Sequence, residues 1–422
     1  MSAAVHKTVL ADGLTILSQT LRDRRTLSLG AWLRTGARDE PREQLGITHF
    51  LEHMMFKGTE SRDARAIAAS LESLGGHLDA FTTRENVCYT ARVLSEHLGQ
   101  AVDVVSDLVC RSRFDDAEIE REKGVVHEEI LSYEDNPEAM VSDQLSEQLW
   151  GDHALGRPIL GTVDTVSAFT RAGIVAEFER RFRASEIVVV AVGGLEHAEL
   201  VDAVGKGFRL PAGEAPARDI APPPHAPSVR HEDSDLQQVY LSFGARGLSS
   251  SDPGRYALRV AETLLGGGMS SRLFQRIRED AGLAYFVSTS LDFLRDGGAV
   301  GIDLGVSPDK TRLALGLLRE ELEKLLATGP TPDEVEAAKM QLKGSIVMGQ
   351  ESVSSRMYHV ARQELHLGHQ TPTERQLERV LAVTRDEVVA ALQAMTAPSR
   401  FSLAVMGPHG DQPITAADWP TA

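Results

Sequence analysis

The two halves of this chain repeat one another, so whatever fold it adopts has to be built twice. Residues 36–41 (GARDEP) answer 247–253 (GLSSSDP), and 46–58 (GITHFLEHMMFKG) answer 256–268 (YALRVAETLLGGG). Further along, 93–97 answer 305–309, Thr170-Arg171 answers Thr384-Arg385, and 187–192 answer 401–405. Matches that keep their order at one long period indicate a structural unit made in two copies.

Between the copies lies a proline cluster, Pro211, Pro216, Pro222, Pro223, Pro224 and Pro227, with the composition of an extended linker over residues 211–227. A chain of 422 residues also exceeds what one hydrophobic core normally organises. Two domains are therefore expected, 1–210 and 228–422, each reading as strand, helix, strands, two helices, helix and strand. In 87–92 the alternation sets Val87, Tyr89 and Ala91 against Cys88, Thr90 and Arg92, the period of a strand with two distinct faces. With amphipathic helical segments around such strands, the expected class is α+β. Each of the two tandem homologous domains is then a mainly antiparallel sheet with helices packed on one face.

Hydrophobic residues at 42% and charged residues at 25% are ordinary for a folded globular chain. The net charge of −17 repels phosphate, which argues against nucleic acid or an anionic membrane as partner and favours cationic ligands. Two cysteines, Cys88 and Cys110, cannot make a disulfide framework and read as core residues. The first residues show neither a signal-peptide run nor a transit-peptide pattern, and the longest apolar run, 187–192, is strand-length. A cytoplasmic protein is the expectation.

In residues 47–56, Ile47, Phe50, Leu51, Met54 and Met55 recur at the spacing of an amphipathic helix. His49, Glu52 and His53 then lie together on the other side, because residues three and four apart are neighbours on a helix. This H-x-x-E-H order is the reverse of the H-E-x-x-H zinc motif and meets the same geometric requirement: two imidazoles aimed at one point. Zinc in a catalytic site takes three protein ligands and leaves a position open, so a carboxylate from elsewhere is needed. A second helical segment, 114–133, has Ile119, Val126 and Ile130 as its apolar stripe. Glu122 and Glu129, seven apart, share a flank of that stripe, where a carboxylate can reach an interior metal, although most glutamates in so Glu-rich a run are solvated.

Taken together, these residues resemble the pitrilysin/insulinase family of inverted zinc peptidases, of the mitochondrial processing peptidase type. The stretch 49–59 (HFLEHMMFKGT) is similar to the family signature, and Glu129 stands where the family's third ligand is found. The resemblance implies one zinc ion per chain on His49, His53 and Glu129, with Glu52 as general base and Glu122 behind the ligands. Residues 75–85 (GGHLDAFTTRE) resemble the family's substrate-binding edge strand, implying peptide contacts at Asp79, Ala80, Phe81 and Thr82, with Phe56 nearby. Asp79 stands where the family usually has Asn and cannot donate an amide hydrogen bond.

In the second copy, 266–285 (GGGMSSRLFQRIREDAGLAY) resembles the other family signature, implying that Arg278 and Tyr285 reach toward the scissile carbonyl. Arg259 and Thr263 occupy the positions of His49 and His53, and Ser345 lies near that of Glu129, so only the first copy carries a ligand set. The expected activity is zinc-dependent endopeptidase action on peptides or unfolded segments, inside a chamber formed with a second copy or a related subunit. The alternative from the same family is a non-catalytic scaffold or peptide-binding subunit, which tends to have lost the residues retained here.

Overall fold

A computed structural model describes residues 4–213, 222, 224–410 and 412–419, without the side chain of Met395. Most of the expected linker, 214–221 and 223, lies outside the described residues; its flanks, 211–213 and 224–227, have no regular secondary structure.

Among the described residues the chain forms two sheets. The first contains β1 (Val5–Val9), β2 (Thr15–Thr20), β3 (Thr26–Leu33), β4 (His77–Thr82), β5 (Val87–Leu94) and β6 (Ile187–Gly193), in the order β1-β2-β6-β3-β5-β4. The second contains β7 (Val229–Glu232), β8 (Val239–Gly247), β9 (Ala284–Phe293), β10 (Gly298–Val306) and β11 (Ser402–Met406), in the order β7-β11-β8-β10-β9. Apart from β1, the two orders are one topology written twice. In each sheet a single pair is parallel, β2 with β6 and β7 with β11, and the other pairs are antiparallel. The repetition seen in the sequence is therefore a repetition of topology.

In the first unit, alternate strand residues such as Leu27, Leu29, Tyr89 and Val189 turn toward the helices Ile47–Met55, Leu98–Arg111, Arg171–Arg181 and His197–Gly207. The opposite face is also buried. Leu17, Trp32, Cys88, Val188 and Val190 pack on Val353, Met357 and Val360 of the helix Val353–Leu367. Burial on both faces explains why β6 (IVVVAVG) is apolar throughout instead of alternating. In the second unit Val239, Leu241 and Phe243 face the corresponding helices. Val141, Leu145 and Leu149 of the helix Pro137–Trp150 cover Ala404 and Met406 on the other side.

Each compact unit thus holds a helix from the other half of the chain. One unit comprises 1–132, 157–219 and 348–371; the other comprises 133–156, 220–347 and 372–422. In addition to the helices expected on one face, each sheet carries this single exchanged helix on its other face. Cys88 is buried and Cys110 half-buried, both as free thiols.

Candidate metal centre

The helix Ile47–Met55 begins at Gly46, whose φ of 85° is left-handed. A Cβ there would stand 2.4 Å from the Leu160 carbonyl oxygen, so both the turn and the close approach call for glycine. The helix start is capped from within: the buried Glu40 carboxylate accepts from the amides of Gly46 and Thr48, each at 2.8 Å. Burial lifts Glu40 to about 7 against the opposing hydrogen bonds and the Arg181 charge. Arg181, itself fully buried, donates to Thr48 Oγ1 at 3.0 Å, Thr35 Oγ1 at 3.1 Å and the Asp39 carbonyl at 3.1 Å, and pairs with Glu177. A satisfied buried charge of this kind ties the start of the helix to the segments beside it.

The apolar stripe Ile47, Phe50, Leu51, Met54 and Met55 is buried as expected. His49, Glu52 and His53 are not a solvated face. His49 is buried and the other two half-buried, beneath the helix Asp116–Glu134, whose Ile119, Val126 and Ile130 enter the core. The periodicity of 114–133 therefore placed this second helix to within a residue or two.

His49 Nε2 lies 3.6 Å from Glu129 Oε2, and His53 Nε2 lies 3.4 Å from the same oxygen. All three donor atoms fall within 4.8 Å of one another. Two ligand atoms bound at about 2.1 Å to one tetrahedral ion stand about 3.4 Å apart, so the spacing suits zinc. The protonation state of His49 suits it as well. His49 is pushed down to about 3, first by burial and then by His53, which leaves a neutral ring. His53 Nδ1 donates to Glu122 Oε1 at 2.8 Å, and this fixes the tautomer that presents the Nε2 lone pair toward Glu129.

Glu122 is buried at 2% exposure, and its other oxygen meets Lys57 Nζ at 2.7 Å. Burial raises its pKa, but the hydrogen bonds from His53 and Lys57 and the Lys57 charge outweigh burial and hold it ionised. His53 loses basicity to burial and regains more from Glu122, Glu129 and Glu52, so its net shift is upward. Lys57, just past the end of the helix, was not singled out from the sequence, where nothing shows that its partner is the buried Glu122.

Glu52 accepts a short hydrogen bond from Thr82 Oγ1 through Oε2. Burial raises Glu52 above the usual carboxylate range, against Thr82 and His53 and with Glu129 and Asp79. Thr82 ends β4, an edge strand that pairs only with β5. On that strand Ala80 packs toward the helices, whereas Phe81 turns away, 5.5 Å from Trp32 and 5.9 Å from Tyr358 between ring centroids. The Asp79 side chain is 66% exposed. Phe56 is half-buried, 6.4 Å from the Tyr89 ring. Arg278 and Tyr285 belong to the second unit, where Arg278 lies over the Phe274 ring at 4.8 Å and Tyr285 is 77% exposed.

Known proteins share both the sequence and the fold. Residues 15–163 match insulinase (peptidase family M16), and 168–342 match the peptidase M16 inactive domain. A Streptomyces coelicolor protein named uncharacterized zinc protease is 37% identical over 97% of this chain and 90% of its own length. The chain belongs to the insulinase family of peptidases, M16. Another M16 relative, the uncharacterized zinc protease YmxG of Bacillus subtilis, is 35% identical over 95% of this chain and 98% of its own. The solved M16 inactive domain from Pseudomonas fluorescens superposes with a TM-score of 0.91 at 22% identity, covering 98% of this chain and all of that one. Among the described residues of this M16 chain, no helix is long and apolar enough to cross a membrane.

The contacts of Glu122 with His53 and Lys57 have a measurable consequence. Glu122→Gln is expected to weaken zinc binding about 10- to 100-fold in a chelator competition while leaving the fold intact, because the amide cannot hold both His53 and Lys57 as an anion does. An unchanged affinity would remove Glu122 from the site.

Proposed function

We propose that the chain is a zinc-dependent endopeptidase, with one zinc ion per chain held by His49, His53 and Glu129. The observation that carries this reading is the convergence of two neutral-capable imidazoles and one carboxylate, with the second nitrogen of His53 tied to an ionised, buried glutamate. Bound zinc supplies a Lewis acid that polarises the scissile carbonyl and acidifies water.

The chain's own residues do the rest. Oε2 of Glu52 is taken by Thr82, so Oε1 is the oxygen that accepts the proton of the attacking water and returns it to the leaving amine. Burial makes the Glu52 carboxylate more basic than a free one, the direction a proton acceptor needs. The free edge of β4 offers backbone groups to an extended peptide by strand addition. Asp79, Ala80 and Phe81, with Phe56, are assigned as peptide-contacting residues, and Thr82 through its backbone, since its hydroxyl is held by Glu52. The packing of Phe81 on Trp32 and Tyr358 gives it a share in supporting the strand.

By resemblance, two copies, or one copy and a related subunit, enclose the substrate in a chamber. Arg278 and Tyr285 are then assigned to substrate contact from the partner's second unit. Chamber size limits substrates to peptides and unfolded segments, and the net charge of −17 favours cationic ones.

The test is incubation of the pure chain with a mixed peptide pool, with zinc and with chelator, alongside native mass. Chelator-sensitive cleavage by a species of about twice 45.8 kDa is expected. Peptide binding without cleavage would instead identify a non-catalytic subunit, and full activity as a single chain would remove the chamber.

A further inference from the structure

We propose that Thr82 is a positioning residue for the base: its hydroxyl fixes one oxygen of Glu52 and so aims the other. The proposal rests on the reading of Glu52 as proton acceptor given above. A glutamate side chain turns about three bonds, and catalysis loses steeply when a reacting group is misplaced by an ångström. Thr82 is suited to remove that freedom. It is β-branched and stiff at χ1, and its backbone is pinned by pairing with Val87 on the neighbouring strand. Its hydroxyl donates to Oε2 of Glu52, which has no other hydrogen bond among the described residues.

The second unit contains a brace of the same kind with no metal ligands beside it. Glu262 answers Glu52 in the repeat, and its Oε1 accepts from Thr289 Oγ1 of the edge strand β9 at 2.7 Å. Arg259 and Thr263 stand where His49 and His53 stand in the first copy. The registers differ. Thr82 pairs with Val87 at the end of its strand, whereas Thr289 pairs with Ile302 four residues before the end of its own, so the two ties are made at different places along the edge strand. A hydroxyl–carboxylate tie from helix to edge strand thus recurs where no chemistry is assigned. Thr289 therefore measures what such a tie contributes to the fold alone, and Thr82 what it adds at the base.

The experiment uses the full zinc-loaded chain and a peptide the native chain cleaves, and measures kcat, KM, zinc content and melting temperature for Thr82→Val, Thr82→Ser and Thr289→Val. Thr82→Val is expected to lower kcat about 10- to 100-fold, the scale of a lost hydrogen bond to a charged group, with KM within about two-fold and zinc unchanged. Thr82→Ser should recover most of the rate, and Thr289→Val should leave kcat as it was. Native kcat in Thr82→Val, or an equal loss in Thr289→Val, overturns the proposal and reduces Thr82 to a structural tie. If Thr82→Val does not fold, Thr82→Ala is read by the same criteria. A native chain that carries zinc and cleaves no peptide would overturn the reading of Glu52, and this proposal with it. An active native chain beside an unimpaired Thr82→Val overturns this proposal alone.

Discussion

Glu52→Gln is expected to carry as much zinc as the native chain and to lose peptide hydrolysis by about 10²–10⁴-fold. The amide keeps the size of the side chain and can still meet Thr82, so neither the helix nor the three donor atoms on His49, His53 and Glu129 need move. What it cannot do is accept a proton. The loss should therefore appear in kcat, with KM little changed, since a proton transfer is made only on the way to the transition state. Full activity in this variant would reject Glu52 as the base, and loss of zinc would place it among the ligands.

The second large effect concerns the metal itself. Replacing His49, His53 or Glu129 by alanine is expected to drop the bound zinc from about one ion per chain to a small fraction of that after dialysis, and to abolish activity with it. Each residue supplies one of only three protein donors, and a site left with two binds zinc far more weakly. The three variants should behave alike despite unequal burial, since His49 is enclosed whereas the Glu129 side chain is 43% exposed. Unchanged zinc in Glu129→Ala would identify another acidic residue as the ligand. Glu122 is the nearest competitor, but both of its oxygens are already engaged, by His53 and Lys57.

The parts of the site legible in the sequence are those that depend on helical spacing. Ile47, Phe50, Leu51, Met54 and Met55 announce which side of their helix is buried, and that leaves His49, Glu52 and His53 together on the other. Ile119, Val126 and Ile130 do the same for the helix that carries Glu122 and Glu129. The tie from Thr82 to Glu52 joins residues on a strand and a helix, a relation no periodicity encodes. Lys57 was hidden for another reason: a lysine after a helix usually ends in water, and only the buried Glu122 gives it a partner.

At the level of the fold, the order of matches between the halves foretold two copies of one sheet. What it left out was the exchange of the helices Pro137–Trp150 and Val353–Leu367. An amphipathic pattern says that a face is buried without saying which sheet buries it. Met357 and Leu145 look alike in sequence, and each covers a sheet built mainly from the other half of the chain.

On the proposed function, one cation sits among His49, His53 and Glu129. Anomalous diffraction at the zinc edge, from crystals of zinc-loaded protein, tests it most directly. A single strong peak per chain is expected, about 2.0–2.2 Å from Nε2 of His49, Nε2 of His53 and an oxygen of Glu129. A peak elsewhere, or a Glu129 carboxylate turned away from both rings in the loaded crystal, would contradict it.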